Sequence, residues 1–129
     1  HIFSAVLRLG KSGSIVDNFS AGGIVVQINP LNGKLNKYGR DESGNTYKEH
    51  PESKVLFEDF VIPEWDKAQE LVKQLALKVP SNRYTGWDLA LTDSGWVMVE
   101  GNASGQFFVL QLSDRVGKKA QLNNLCKLI

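Results

Sequence analysis

The feature that most constrains the fold is residues 86–102, in which apolar and polar side chains alternate on both sides of a turn. The alternating apolar residues are Leu89, Leu91, Val97 and Val99. A period of two is typical of β-strands, and Asp93-Ser94-Gly95 supplies turn-forming residues between the two runs. The segment therefore predicts a β-hairpin.

The apolar pattern also predicts which residues of this hairpin face one another. A three-residue loop would place Thr92 opposite Trp96, Ala90 opposite Met98, and Asp88 opposite Glu100. The two leucines and two valines would then share one apolar face, whereas a shift by one residue would mix them with the carboxylates. The pattern therefore favours the register that pairs Asp88 with Glu100.

In this register three side chains with oxygen atoms lie on one face: Asp88, Glu100 and Asn102. Directly opposed Cβ atoms lie about 5 Å apart, and Asn102, two residues after Glu100, points the same way. Opposed carboxylates are destabilising unless they share a cation or a proton, and carboxylate and amide oxygens suit a hard divalent ion. Spacing alone leaves two interpretations open, a cation site and a solvated polar sheet face.

The composition excludes several classes of protein. The 129 residues suffice for one domain with a core, and the net charge of +1 gives no electrostatic reason to expect binding to nucleic acid or an acidic membrane. No apolar run approaches the roughly 20 residues of a membrane span. The single cysteine, Cys126, excludes an internal disulfide and indicates a reducing, cytoplasmic location; its apolar surroundings predict that it is buried.

The remaining pattern predicts an α+β fold, an antiparallel β-sheet with packed helices. One clear helix should begin at Pro63-Glu64 and stop at Pro80, with an apolar stripe that packs on the core. A polar, turn-rich loop is predicted between residues 40 and 52. Strands are predicted at residues 2–9, 24–28 and 34–38, and weaker helices at 106–112 and 118–129.

Two further groups of residues could carry chemistry. Arg8 ends the first predicted strand and precedes Asn18 and Gly22-Gly23. A guanidinium and a carboxamide beside a glycine-rich turn can hold phosphate oxygens, although both are also ordinary features of a strand and a bend. His50, in the polar loop, could transfer protons or be an idle exposed histidine. The pattern leaves these alternatives open.

Taken in chain order, these residues resemble the C-terminal half of an ATP-grasp domain, and most closely the sugar-transfer-associated branch related to α-L-glutamate ligases. The resemblance covers roughly residues 6–111. The motifs that carry it are Arg8, Asp17-Asn18 with Gly22-Gly23, Gly86-Trp87-Asp88, Glu100-Gly101-Asn102, and the segments 47–51 and 60–65.

The resemblance implies a role for each matched residue. Asp88, Glu100 and Asn102 match the positions that bind Mg²⁺, or Mn²⁺ in its place, between the phosphates of ATP. Arg8 and Asn18 match catalytic groups near the transferring phosphate and the substrate carboxylate. The nucleotide contacts implied by the resemblance are Arg8, Asn18, Gly22 and Gly23.

The reaction implied by the resemblance begins when ATP phosphorylates a small-molecule carboxylate to an acyl phosphate. An amine or another nucleophile then attacks this intermediate. Physically, Mg²⁺ and Arg8 would neutralise charge on the transferring phosphoryl group.

Residues 1–129 are predicted to be a single C-terminal ATP-grasp subdomain. The chain begins with His1 rather than Met, which suggests a fragment, and the resemblance places the adenine contacts in another half. We therefore expect the isolated chain to be inactive. A second hypothesis is a non-catalytic nucleotide- or partner-binding module, with self-association through an exposed sheet edge. A third is an unrelated α+β domain.

Overall fold

The computed structural model describes residues 1–10, 22–105 and 107–127. These residues form an α+β fold with antiparallel sheets, as predicted. The strands are β1 (Ala5–Leu9), β2 (Ile24–Ile28), β3 (Leu35–Arg40), β4 (Thr46–Tyr47), β5 (Gly86–Thr92) and β6 (Gly95–Asn102). The helices are α1 (Trp65–Lys78), α2 (Phe107–Asp114) and α3 (Lys119–Cys126).

The strands form two sheets rather than the single sheet predicted. The larger sheet has the order β1-β2-β3-β4, and every neighbouring pair is antiparallel. The smaller sheet is the β5-β6 hairpin. The hairpin is therefore joined to the larger sheet by side chains and connecting segments, not by a shared strand pair.

The core lies on one face of the larger sheet, around β2. The β-branched run of β2 favours a strand, and alternation sends Ile24, Val26 and Ile28 to the same side. Phe57 and Ile62, from the connection between β4 and α1, cover this face. Ile24 and Val26 are 0 % exposed, so β2 is the best-packed part of the described chain.

The opposite face of the larger sheet is covered by α2, which contacts β1, β2 and β3. Ser113, at the end of α2, is fully buried, and its hydroxyl donates to Oε1 of Gln27. Nη1 of Arg40 donates to the carbonyl of Ser113 at 2.6 Å. A cation at a helix C-terminus is stabilising, so Arg40 fixes α2 against the sheet.

A tight turn between β2 and β3 anchors the start of α1. Gly33 has φ 74°, and a Cβ at this position would lie 2.6 Å from Cγ of Trp65. The indole nitrogen of Trp65 donates to the carbonyl of Pro30 at 3.1 Å. Glycine is therefore required at position 33 both for its backbone conformation and for the approach of Trp65.

The predicted helix between Pro63 and Pro80 is confirmed as α1, but its apolar stripe is covered less than expected. Ala68 is buried, while Leu71 and Leu75 are half-buried and Val79 is 38 % exposed. The predicted burial of Cys126 is wrong, since this residue is exposed at the end of α3. No helix within the described ranges is long and apolar enough to cross a membrane.

Candidate functional site

The β5-β6 hairpin pairs Asp88 with Glu100, as the sequence predicts, but through a different turn. Thr92 pairs with Gly95, so the loop has two residues, Asp93 and Ser94, rather than three. The hydroxyl of Thr92 accepts from the Ser94 N–H at 3.2 Å and donates to the Gly95 carbonyl at 2.8 Å. Gly95 adopts φ 103°, a conformation that favours glycine. These contacts make Gly95 the first strand residue instead of the last loop residue.

A register shift between Leu89 and Asp88 restores the predicted pairing at the open end of the hairpin. Leu89 pairs with Met98 and Asp88 with Glu100, which leaves Val99 between the two pairs as the extra residue of a β-bulge. The predicted apolar face is therefore wrong near the turn, where Val97 pairs with Ala90 instead of sharing a face with Leu89. The prediction of opposed carboxylates is confirmed.

The three predicted cation ligands lie at the open end of the hairpin. Asp88 and Glu100 are cross-strand partners, and Nδ2 of Asn102 donates to Oε1 of Glu100 at 3.0 Å. Gly86 pairs with Asn102, so no side chain of β5 stands opposite the amide. Glu100 and Asn102 are exposed and Asp88 is half-buried, which leaves this face accessible to a ligand.

Arg8 reaches this group from the larger sheet. Its Nη1 lies 3.1 Å from Oδ2 of Asp88, and the two side chains are 31 % and 37 % exposed. The contact joins β1 to β5, and Arg8 and Asp88 lie 80 positions apart in the chain. The predicted phosphate-binding cation and the predicted metal ligands therefore meet at one place.

The glycine pair predicted to approach a nucleotide lies at the adjacent end of the larger sheet. Gly22 has φ 88°, and buried Gly23 directly precedes β2. The first residue of β2, Ile24, pairs with Leu9, the neighbour of Arg8. The predicted site residue Asn18, with Asp17, lies outside the described residues.

Two glycines near the site are explained by aromatic rings that the sequence analysis did not assign. A Cβ on Gly101 would lie 2.5 Å from Cζ3 of Trp87, and one on Gly105 would lie 2.7 Å from the hydroxyl of Tyr84. The Tyr84 ring also stacks on Phe107, with centroids 5.0 Å apart. Burial raises the pKa of the Tyr84 phenol above its ordinary value. Trp87 thus packs on the strand between Glu100 and Asn102, and Tyr84 packs three residues after Asn102.

The turn end of the hairpin is anchored separately. The indole nitrogen of Trp96 donates to the carbonyls of Pro63 and Glu64, at 3.2 Å and 3.1 Å. These carbonyls directly precede α1, so the hairpin is attached to the helix at one end and to Arg8 at the other. The alternating sequence pattern around Trp96 does not predict this contact.

His50 has a local structural role in the described chain. Its Nδ1 accepts from the backbone N–H groups of Glu52 and Ser53, at 3.3 Å and 3.2 Å. These bonds close the turn that follows His50. Proton transfer by His50 was only one of two alternatives from the sequence, and these contacts do not test it.

The donor set on the hairpin fits a hard divalent cation by its chemistry. Asp88 and Glu100 supply carboxylate oxygens and Asn102 an amide oxygen, the ligand type that Mg²⁺ prefers. Across the described residues, no group of three or more His, Cys, Asp or Glu side chains is placed so that it could hold a metal ion. The trio would therefore hold an ion by two carboxylates and one amide, with other coordination positions left to waters or phosphate oxygens.

Comparison with known proteins gives one family. A family model described as sugar-transfer associated ATP-grasp matches residues 1–127. No curated protein and no solved structure gave a significant match.

Proposed function

We propose, because this chain belongs to the sugar-transfer associated ATP-grasp family, that it is the C-terminal catalytic part of an ATP- and Mg²⁺-dependent carboxylate ligase. The observation that carries the proposal is the meeting of Arg8 with Asp88, opposite Glu100 and its partner Asn102. A cationic group beside a carboxylate and amide cluster is the arrangement that phosphoryl transfer needs.

The proposed reaction has two steps. A carboxylate oxygen of the substrate attacks the γ-phosphorus of ATP, the bond to the β-phosphate oxygen breaks, and ADP leaves. The nitrogen of an amine, or another nucleophile, then attacks the acyl carbon, the bond from that carbon to the phosphate oxygen breaks, and phosphate leaves while the nucleophile releases a proton to solvent. Neither step needs a covalent protein nucleophile.

Residues of this chain would position the phosphates and offset their negative charge. Arg8 would donate to oxygens of the transferring phosphoryl group, and its charge would stabilise the negative charge there. Mg²⁺ would be held by Asp88, Glu100 and Asn102. When bound, it supplies positive charge that offsets the negative charge of the phosphates. Of the predicted glycine pair, half-buried Gly22 would allow the backbone to approach the nucleotide closely, while buried Gly23 would shape the turn before β2.

A second candidate is a non-catalytic nucleotide- or partner-binding module. It is favoured by the apolar side chains that the described residues leave exposed, such as Leu77 at 80 %, Val99 at 64 % and Met98 at 44 %. The edge strands β1 and β4 of the larger sheet would support self-association. Sedimentation equilibrium tests this, because a module of this kind should dimerise with rising concentration.

Mg²⁺-dependent ATP hydrolysis by the protein in its natural full length separates the two candidates. For a ligase, Glu100→Gln should lower kcat by about a hundredfold or more, because a charged carboxylate ligand to the charge-balancing ion is replaced by a neutral amide. Glu52→Gln is the matched control, since Glu52 is exposed in the 50–54 turn. Equal turnover in both variants would contradict the ligase proposal.

The isolated chain of 129 residues should bind ATP weakly and show no turnover, according to the same proposal. The requirement for ATP and the single cysteine both support a cytoplasmic location. Measurable carboxylate–amine ligation by this chain alone would contradict the proposal that it is only the C-terminal part of the ligase.

A further inference from the structure

Arg8 is paired with one of the residues that would hold the cation, and this pairing has a consequence for how ligands bind. The inference rests on the proposed function, because it concerns the same site. Nη1 of Arg8 lies 3.1 Å from Oδ2 of Asp88. An ion bound to this carboxylate would therefore lie within a few ångströms of a guanidinium.

The two positive groups compete for the same carboxylate. Oδ2 accepts a hydrogen bond from Arg8, so a divalent cation on Oδ2 would have to share it, and one on the other carboxylate oxygen would still lie close to the guanidinium charge. The pair is about one-third exposed, so water screens the repulsion between guanidinium and cation less than it would at a fully exposed site. Binding of a cation is therefore weakened for as long as Arg8 stays on Asp88.

A tetrahedral dianion would remove this conflict. The guanidinium carries five donors in a planar fork that matches phosphate geometry, so an anion beside β1 can replace Asp88 as the acceptor. Once Arg8 turns to the anion, its positive charge no longer opposes a cation at Asp88. The anion and the cation also attract one another, which adds to the effect.

We propose that Arg8 couples the two ligands of this site. It pairs with Asp88 when no anion is bound and moves to a tetrahedral dianion when one is present. The dianion and the divalent cation then bind cooperatively. Because coupling between two sites is reciprocal, each ligand tightens the other by the same factor.

The contacts of Arg40 show why the coupling is proposed for Arg8 and not for Arg40. Arg8 pairs with Val25 and Val25 with Arg40, so the two arginines lie on the same face of the larger sheet. Nη1 of Arg40 donates to the neutral carbonyl of Ser113, at the end of α2. Arg40 thus secures a helix, whereas Arg8 is paired with a candidate cation ligand.

The test is a titration of the full 129-residue chain with Mn²⁺, followed by the EPR signal of the free ion. It is run in sulfate and in chloride at matched ionic strength, since sulfate is a tetrahedral dianion. In the wild-type chain Mn²⁺ should bind about fivefold more tightly in sulfate. In Arg8→Gln, binding in chloride should already be about fivefold tighter than in wild type, and sulfate should add nothing.

Lys67→Gln is the matched control for the loss of one positive charge. Lys67 pairs with Glu64 at the turn end of the hairpin, away from Asp88, so this variant should keep the sulfate effect. If Arg8→Gln does not unfold cooperatively, Arg8→Lys replaces it and should show a reduced sulfate effect. A lysine keeps the charge but loses the planar fork.

The outcomes separate the coupling from the proposed function. If wild type binds Mn²⁺ equally in both salts, or if Arg8→Gln keeps the sulfate effect, the coupling is refuted and the cation site stands. If neither protein binds Mn²⁺ in either salt, the cation site and the coupling both fall.

Discussion

The two sheets of this protein differ in how they are stabilised. In the larger sheet, Ile24, Val25 and Val26 of β2 are 0 % exposed, and both faces are covered. In the β5-β6 hairpin no residue is buried, and most of β6 is exposed. The candidate cation ligands all lie on the less protected of the two sheets.

The difference shows how the candidate site is supported. A two-stranded hairpin is marginally stable in water, so the hairpin depends on contacts at its two ends. Trp96 attaches the turn end to the start of α1, and Arg8 attaches the open end to β1. The larger sheet is therefore the better-packed base, and we expect the hairpin to open locally at a lower free energy than the larger sheet.

The largest effect should come from a matched pair of valines, one in each sheet. Val26→Ala removes two methyl groups from a side chain that is 0 % exposed, and should lower the free energy of unfolding by about 2 to 3 kcal/mol. Val99→Ala, at a side chain 64 % exposed, should change it by less than about 0.5 kcal/mol. Urea denaturation followed by circular dichroism measures both. Equal losses in the free energy of unfolding of the two variants would contradict the proposed difference in packing between the two sheets.

A smaller effect is expected from a matched pair of glycines. Gly101→Ala places a Cβ 2.5 Å from the Trp87 ring, so the ring must move, at a cost of about 1 kcal/mol or somewhat more. Gly117→Ala is the control, because nothing lies within 4 Å of its added Cβ. Thermal denaturation measures the stability of both variants. No loss in Gly101→Ala would mean that the aromatic packing does not hold the open end of the hairpin.

The smallest effect should appear in alkaline solution. Burial raises the pKa of Tyr84, so as the pH rises past about 10 the unfolded chain loses this proton first. The stability from this group is therefore complete below about pH 10 and falls as the pH approaches the folded pKa. Tyr84→Phe should reduce the decrease in the urea midpoint between pH 8 and pH 11. An unchanged decrease would show that Tyr84 is not protected at the edge of the hairpin.

Much of the larger sheet was predictable from local pattern. The β-branched run Ile24–Ile28 matches β2 residue for residue, and the α1 stripe ends before Pro80 as expected. Both signals are local, because they depend on side-chain shape and on the periodicity of one element. The start of β1 was less well predicted, since Ile2 is apolar but lies before the strand.

The hairpin was predicted correctly at the carboxylates and wrongly near the turn. Gly95 was counted as a loop residue, but the hydrogen bonds of Thr92 draw it into β6. The bulge at Val99 then compensates by one residue, so Asp88 still meets Glu100. The shorter loop and the bulge shift the register by one residue in opposite directions, so their effects cancel. The alternation of apolar residues predicts neither the turn type nor the bulge.

The contacts between distant segments could not be predicted. Arg8 and Asp88 are 80 residues apart, and nothing in either strand indicates that they pair. The fit of Trp87 on Gly101 likewise depends on the final register. Sequence pattern thus predicts that Asp88 and Glu100 face each other, whereas the contacts of the hairpin with distant segments are set by tertiary packing.

The most direct test of the account is to locate a bound cation on the chain by NMR. Small additions of Mn²⁺ broaden the backbone signals nearest the ion. If the hairpin holds the cation, the first signals to broaden should be those of Asp88, Glu100 and Asn102, and Glu100→Gln should abolish the effect. Broadening centred on another acidic group, such as Glu58 and Asp59, with the hairpin signals unchanged, would contradict the central claim.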